Sequence, residues 1–213
     1  MRGIPQIINN KQHTTMQEEK KYQLTDETRN YYGKTLYRIQ AIKDFGDVKA
    51  GDKGGWVASE RNLSQDGNCW IYDDSIAFGN PHVSGNAKIL NDSEVCEFAC
   101  VAGNAVIDRH STISGEAFIK DAKVSNMVIS NYTQILDDVE IKSQRYFYTF
   151  NLWLPYDEFV TYLPYHDKFS YCGKSYTKEE LVKHADFAEE KDFILGLLNK
   201  IIDLCNYYKE AYL

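Results

Sequence analysis

The middle of the chain repeats its apolar and polar residues with a period of six. An aliphatic or small apolar residue recurs at every sixth position, and a small residue or proline follows each one four positions later. The apolar positions are Ile71, Ala77, Val83, Ile89, Val95, Val101, Ile107, Ile113 and Ile119. The small positions are Ser75, Pro81, Ala87, Ser93, Ala99, Ala105, Ser111 and Ala117, and Lys123 breaks the series. Neither an α-helix nor a plain strand has this period.

A period of six predicts a left-handed parallel β-helix. Six residues form one short strand and one turn, so three units close a triangular coil of 18 with the aliphatic residue inside. Residues 18 apart then stack at the strand spacing, about 4.8 Å. The predicted interior columns are Ile71–Ile89–Ile107, Ala77–Val95–Ile113 and Val83–Val101–Ile119. Four glycines share one position of the hexad, which suits corners with a left-handed backbone; they are Gly79, Gly85, Gly103 and Gly115.

The repeat loses its phase after Ile119 and resumes at Ile129, Ile135 and Ile141. The ten-residue gap means that four residues are inserted or two are lost around residues 122–127. We expect a loop or bulge that leaves the prism there. The β-helix then has about four coils and occupies residues 62–145.

The segments on either side of the repeat have other patterns. Residues 1–20 are polar without a period and predict a flexible arm, in which Met16 is an alternative start. Residues 21–61 alternate in two strand-like stretches, with a turn expected at Asp26, Glu27 and Asn30, and then become glycine-rich. This range predicts a β cap over the first coil. The glycines that mark its tight turns are Gly46, Gly51, Gly54 and Gly55.

Residues 146–213 are rich in aromatic residues and predict a C-terminal α/β segment. A strand or two is expected first, packed on the open end or side of the prism. Thr177 and Glu180 form a capping-box pattern, so a helix is expected to begin there. A second, longer helix carries an apolar stripe, which Ile194, Leu198 and Cys205 widen. The stripe itself is Phe193, Leu197, Ile201, Leu204 and Tyr208.

Composition narrows the classes of function. The net charge of -7 and pI of about 5.3 argue against a general nucleic-acid binder, which usually has a basic surface. No apolar run is long enough to span a membrane, and the N-terminus lacks the pattern of a signal peptide. Five cysteines at irregular spacing fit a reducing compartment better than a disulfide framework. We therefore expect a cytoplasmic protein, with no membrane partner and no metal site.

Several stretches resemble a known family. "LYRIQAI", "GDKGGWV", "NLS", "GNCWIY" and the later "YCGKSYTKEELVKHA" resemble hexapeptide-repeat proteins encoded by phages and prophages of gut bacteria. The resemblance covers most of residues 21–213. It implies the fold and a viral origin, in which case the protein would act in the cytoplasm of the host cell. It implies no catalytic residue, because that family has no established activity to transfer.

Three side chains are candidates for catalysis, although we expect no catalytic residue. In hexapeptide acyltransferases a histidine acts as general base on the acceptor, which here points to His82 or His110. Such an enzyme also needs a trimer and a thioester donor. Cys100, expected between His82 and Phe118 on neighbouring coils, would need a lowered pKa to serve as a nucleophile. "CGKS" at residues 172–175 lacks the earlier glycine of a phosphate-binding loop, so a structural turn is favoured.

The remaining candidates are surface residues for binding a partner. Aromatic side chains expected to face outward, acidic wall residues and one arginine would suit a protein interface with a basic groove. Alternatively, the C-terminal aromatic segment packs over these aromatic side chains. The set is Trp70, Tyr72, Asp73, Asp74, Phe78, Asp92, Glu94, Glu97, Phe98, Arg109, Glu116 and Phe118.

The preferred hypothesis at this point is a non-enzymatic binding protein without a cofactor. Its rigid acidic β-helix would bind a host protein, and its specific form would be a phage inhibitor of a nucleic-acid-handling defence system, similar in role to anti-CRISPR proteins. Direct binding of nucleic acid is not expected, and a homo-oligomer is compatible with the sequence. The alternatives are a trimeric hexapeptide-type acyltransferase and a phage sponge that traps a nucleotide signal between protomers.

Overall fold

Three parallel walls form a β-solenoid of five coils. The computed structural model describes residues 20–143, 146–151, 159–184 and 191–211. Each coil gives one strand or bridge to each wall, and the walls enclose a continuous aliphatic core. This confirms the predicted fold class, a mainly β chain built on a short parallel β-helix of hexads. None of the described helices is long and apolar enough to cross a lipid bilayer.

The strands follow one another around the prism. The N-terminal strands are β1 (Tyr22–Tyr31), β2 (Lys34–Ala41) and β3 (Lys53–Val57), and a 3₁₀ turn spans Glu60–Asn62. Wall 1 continues from β3 through β5 (Ile76–Gly79), β8 (Glu94–Glu97), β11 (Thr112–Ile113) and β14 (Val128–Ile129). Wall 2 contains β6 (His82–Val83), β9 (Cys100–Ala102), β12 (Phe118–Lys120) and β15 (Gln134–Ile135). Wall 3 contains β4 (Trp70–Ile71), β7 (Lys88–Ile89), β10 (Val106–Asp108), β13 (Lys123–Ser125) and β16 (Glu140–Ile141).

The register confirms the three predicted columns. Ile89 pairs with both Ile71 and Ile107, Val95 pairs with Ala77 and Ile113, and Val101 pairs with Val83 and Ile119. All nine side chains are fully buried. The prism has five coils rather than four, because β3 and Leu63 form a first coil that stacks on Ala77 and Val83. The ladder thus begins inside the range predicted as a β cap.

No loop leaves the prism at the phase slip, so that prediction is wrong. Val124 pairs with Ile107 above and Ile141 below, and Ile129 pairs with Ile113. The coil stays closed because one residue is missing at each of two successive corners. Ala122 and Met127 fill the small positions there, and the side chain of Lys123 is exposed on the wall. Asp121 and Asn126 take the left-handed backbone at these shortened corners.

Polar ladders connect the coils at two corners. The buried hydroxyls of Ser75, Ser93 and Ser111 each accept a hydrogen bond from a backbone N–H one coil further on, at 3.2–3.3 Å. At another corner the amide of Asn68 donates to Asn86, which donates to Asn104 in turn. The serine bonds give partners to buried hydroxyls, whereas the asparagine ladder lies on the exposed side of its corner.

The N-terminal hairpin extends wall 1 and covers the first coil. β1 and β2 pair antiparallel, with an irregularity between Leu24 and Thr28, and the chain reverses at residues 32–33. The turn predicted at residues 26–30 is therefore wrong, since β1 continues through it as a bulge. Gly54 and Gly55 lie inside β3 rather than in turns. A Cβ atom on either would collide with Trp70 or with Ser75.

The C-terminal segment forms an antiparallel sheet and two helices. The sheet contains four strands where one or two were expected, and it packs on the last coil through Phe147 and Leu163. Its strands are β17 (Tyr148–Asn151), β18 (Phe159–Leu163), β19 (Lys168–Tyr171) and β20 (Lys174–Tyr176). The helices are α1 (Lys178–His184) and α2 (Lys191–Ala211).

The start of α1 agrees with the prediction, whereas the buried face of α2 differs from the predicted apolar stripe. Thr177 and Glu180 form both bonds of the capping box before α1. In α2 the buried residues are Ile194, Leu198 and Cys205, while Leu204 is exposed. The predicted stripe is thus rotated toward the residues expected only to widen it. The side chains of Phe193 and Tyr208, and the predicted arm over residues 1–19, lie outside the described part of the chain.

Candidate functional site

The imidazole of His82 lies on the outside of wall 2 in a defined orientation. Its Nδ1 is 3.2 Å from the backbone carbonyl oxygen of Arg61, which belongs to the 3₁₀ turn of the first coil. A carbonyl oxygen can only accept, so this contact places the proton on Nδ1. In the neutral ring, Nε2 then keeps its lone pair. Nε2 has no hydrogen-bond partner among the described residues, and the side chain is exposed, so it can accept a proton from a ligand.

Asn62 holds the turn that orients His82. Its side chain is fully buried, and its Oδ1 accepts a hydrogen bond of 2.9 Å from the backbone of Ser59. Its Nδ2 donates to the carbonyl oxygens of Gly79 at 3.1 Å and Pro81 at 3.4 Å, and Pro81 directly precedes His82. Asn62 was not among the predicted site residues, although the three-residue spacing of Ser59 and Asn62 is that of a capping box at the start of a helical turn.

A strict spacing of 18 residues would place Ser64 beside His82 on the first coil, but the register places Asn62 there. Leu63 pairs with Val83 across 20 residues instead of 18, because two extra residues precede β4. Position 62 therefore lies next to position 82 on wall 2. On the other side, His82 pairs with Cys100 as predicted.

Cys100 has the wrong environment for a nucleophile. Its side chain is half-buried, and burial raises the pKa of its thiol. No positive charge from His82 or any other described residue lowers that pKa. The thiol therefore stays protonated at neutral pH, where the reactive form would be the thiolate.

His110 lies at an exposed corner one coil from Asp92. Its Nδ1 is 3.9 Å from Asp92 Oδ2, and both side chains are more than half exposed. The two residues are 18 apart, so stacking of successive corners brings them together. The pair is long and solvated, so it holds the ring less firmly than the Arg61 carbonyl holds His82. Arg109, beside it, faces Asp108 at 3.9 Å.

The predicted aromatic surface does not form one patch. Trp70 is 2% exposed, because it turns inward at the top of the prism and packs against Tyr22 and Phe45, so its predicted outward orientation is wrong. Phe78 contacts Tyr31 of the N-terminal hairpin. Phe98 is the exposed member, at 66%.

The other two aromatic candidates are half-buried. The hydroxyl of Tyr72 donates to Asp47 at 2.7 Å. Phe118 lies under the turn at Gly173, so the C-terminal segment does approach one of the aromatic candidates. The structure leaves their role in binding a partner untested, and it stays a prediction.

Three of the six acidic candidates, Asp74, Glu94 and Glu97, have carboxylates that accept hydrogen bonds within the chain. Asp74 accepts hydrogen bonds from Trp56 and Arg38, and these hold the pKa of its carboxyl below the usual range. The backbone carbonyl of Asp73 accepts from the same arginine at 2.7 Å. Glu94 accepts from the Tyr31 hydroxyl, and Glu97 from the backbone of Gly115. Glu116 is exposed. The carboxylates of Asp74, Glu94 and Glu97 therefore contribute to packing of the corners and the hairpin.

Comparison with known proteins adds one relative. Over 105 residues the chain is 41% identical to a protein of Escherichia coli (strain K12) named "Uncharacterized acetyltransferase YdcK". The match covers 45% of this chain and 32% of the relative's length. No protein-family profile matches the chain. Together with the five coils, this likeness supports the interpretation of the chain as a hexapeptide-repeat β-helix protein.

The same finding corrects the preferred hypothesis on function. A relative named as an acetyltransferase contradicts the interpretation of the chain as a non-enzymatic phage inhibitor, and with it the prediction that the chain is not an enzyme. It favours the acyltransferase alternative. The hexad pattern could not decide this, because the same repeats build the scaffold whether or not a histidine on its wall is catalytic. Phage origin is untouched by the likeness and stays a prediction.

Proposed function

We propose that this chain is an acyltransferase of the hexapeptide-repeat type, in which His82 is the general base. The observation that carries the proposal is the contact between His82 Nδ1 and the Arg61 carbonyl, which leaves Nε2 as the proton acceptor. The likeness to a protein named as an acetyltransferase supports the same reading. A general base must be exposed to its substrate and have a free lone pair, and Nε2 of the exposed His82 meets both requirements.

The proposed reaction moves an acyl group from a thioester donor to a hydroxyl or amine acceptor. Nε2 takes the proton of the acceptor as the acceptor attacks the thioester carbonyl carbon. The carbon–sulfur bond then breaks, and the departing thiolate receives the proton from the imidazolium. The imidazole is neutral again at the end of the reaction. The transfer therefore needs no proton donor or acceptor other than His82 and the two substrates.

Asn62 serves this reaction as a positioning residue. It joins the turn that carries the Arg61 carbonyl to the residue before His82, so the distance between the carbonyl and the imidazole is fixed from both sides. A ring held in one tautomer loses less freedom when the substrates bind. We propose further that the active form is a trimer, in which a neighbouring wall would close the groove beside His82.

The proposal is tested by donor binding, assembly and transfer with one purified protein. Calorimetry should show acetyl-coenzyme A binding, and light scattering should show about three times the 24.6 kDa of the chain. With a panel of amino sugars and hydroxylated acceptors, His82→Asn should reduce turnover by about 10²–10⁴-fold while donor binding stays unchanged. His110→Asn is the matched control and should retain turnover. A monomer that binds no acetyl-coenzyme A would overturn the proposal, as would a His82→Asn variant with full turnover.

A further inference from the structure

A lysine-lined cleft lies where the C-terminal sheet meets wall 2. Its volume is about 410 Å³, and its lining includes three lysines, one from the fourth coil and two from the C-terminal sheet. These are Lys120, Lys168 and Lys174. The lining also includes Asp121 and Asp137, so three positive and two negative charges leave the cleft at +1, on a chain with a net charge of -7. The cleft is separate from His82, which lies on the second coil of the same wall.

The acidic residues of the cleft leave two of these lysines without an ion pair. Lys168 is paired with Asp137 at 3.0 Å. Asp121 is held by Asn104, whose backbone N–H donates to its carboxylate at 2.7 Å. Within the described residues neither Lys120 nor Lys174 takes part in an ion pair, and both side chains are exposed. Two ammonium groups directed at one cleft raise the local potential and favour an anion there.

The cleft is held in place on both sides. The hairpin turn between β19 and β20 has left-handed backbone at Cys172 and Gly173, and Gly173 N–H donates to Gln134 of wall 2 at 2.8 Å. Gln134 N–H in turn donates to the Thr161 hydroxyl of β18 at 2.9 Å. Lys174 follows this turn directly, so its backbone is fixed against the prism. A preformed site loses little conformational entropy when a ligand binds.

We infer that this cleft binds the phosphate or pyrophosphate group of a small phosphorylated ligand. Lys120 and Lys174 provide the two cations that contact the anion, and the Lys168–Asp137 pair is part of the same lining. A volume of about 410 Å³ is in the range of small-molecule sites and too small for a folded protein segment. The assignment stands on the cleft alone and does not depend on the role of His82.

Two sources can supply such a group, and they differ in geometry. The first is the phosphorylated end of a nucleotide thioester donor lying along wall 2. Lys120 and His82 are two coils apart, about 10 Å along the prism axis at the strand spacing, a distance that an extended donor can span. The second is a separate phosphorylated ligand that does not reach His82. The common chemistry is a phosphate anion between two lysines.

Calorimetry on the full chain with inorganic pyrophosphate and with coenzyme A tests the inference. Saturable pyrophosphate binding is expected, and the double variant Lys120→Ala/Lys174→Ala should weaken it at least tenfold. The control Lys49→Ala/Lys200→Ala removes the same charge from exposed sites elsewhere and should leave the affinity unchanged. Thermal melting of all three proteins shows that the variants are folded.

The outcomes separate the two sources and the two proposals. Coenzyme A that binds at least tenfold more tightly than pyrophosphate, and is weakened by the cleft variant, identifies the donor as the ligand. Equal affinities identify a separate phosphorylated ligand. Absence of saturable pyrophosphate binding, or equal binding by the cleft variant, overturns the inference. Loss of transfer in His82→Asn with pyrophosphate binding unchanged would show that the two sites are independent.

Discussion

Asn62 donates a hydrogen bond to the carbonyl oxygen of Pro81, 19 residues away and one coil further along the prism. The same buried side chain also binds Gly79 and accepts from Ser59, so one residue joins the first coil to the strand that carries His82. A side chain with these three partners controls both the stability of the first coil and the orientation of the imidazole.

We expect Asn62→Ala to lower the free energy of unfolding by about 2 kcal/mol, because it leaves buried carbonyl and amide groups without partners. Urea unfolding measures this loss. The ¹⁵N shifts of His82 should also show an increased population of the tautomer with the proton on Nε2. Asn68→Ala is the control, since Asn68 is exposed and, among the described residues, its side chain donates to Asn86 alone. A normal His82 tautomer in a destabilised Asn62→Ala protein would contradict a positioning role.

Two glycines with the same backbone conformation should respond differently to alanine. Gly33 has φ of 76° in the open hairpin turn, and no atom lies within 4 Å of an added Cβ. Gly85 has φ of 69°, and its Cβ would lie 2.9 Å from the backbone nitrogen of Gly103 on the next coil. Gly33→Ala should cost about 1 kcal/mol of stability for the left-handed conformation. Gly85→Ala should cost at least twice as much, as measured by urea unfolding, and equal losses would argue against close stacking of the corners.

Acid should weaken the contact between the N-terminal cap and wall 3. Asp47 accepts from Lys88 and from Tyr72, each at 2.7 Å, and these bonds lower the pKa of its carboxyl in the folded protein. Because folding lowers this pKa, the two bonds contribute fully to stability above the ordinary pKa of an aspartate, about 4. The contribution is lost as the pH falls through the pKa of Asp47 in the folded protein.

Urea unfolding at several pH values between about 6 and 2 tests this contribution. Asp47→Asn should reduce the loss of stability on the acid side. Asp138→Asn, an exposed aspartate of the last coil, is the control. A variant with the same acid dependence as the parent would show that the contact does not form in solution.

The thiols should react with iodoacetamide in an order set by their exposure. Cys172 is exposed in the β19–β20 turn and should be alkylated first. Cys69 and Cys205 are buried, and burial raises the pKa of both thiols, so they should react last. Peptide mass spectrometry over a time course measures the order, with the urea-unfolded chain as the reference. Early labelling of Cys100 would indicate an activated thiol beside His82 and would revive its role as a nucleophile.

The interior of the prism could be predicted residue by residue because its geometry is periodic. A strict spacing of six leaves one way to stack the aliphatic residues, and the columns of Val83, Val101 and Ile119 follow from it. Prediction became less accurate where the spacing changes. The phase slip could not tell four inserted residues from two lost ones, and the structure has two lost, one at each of the corners at Asp121 and Asn126.

The candidate site was harder to predict because its parts are far apart in sequence. His82 could be singled out from its residue type, but its orientation depends on a backbone carbonyl, and every residue has one. Trp70 was misplaced because its outward position in the hexad gives no sign that the N-terminal cap folds over the top of the prism.

The sequence by itself determined the parallel β-helix, its three columns and the capping box of α1, since each depends on spacing along a local segment. Only the tertiary structure decided that the first coil begins at β3, that the Arg61 carbonyl meets His82 and that Lys120 and Lys174 share a cleft. These relationships join residues 20 to 54 positions apart. They depend on how complete coils and the C-terminal sheet stack, and the hydrophobic pattern of a single segment contains no information on that packing.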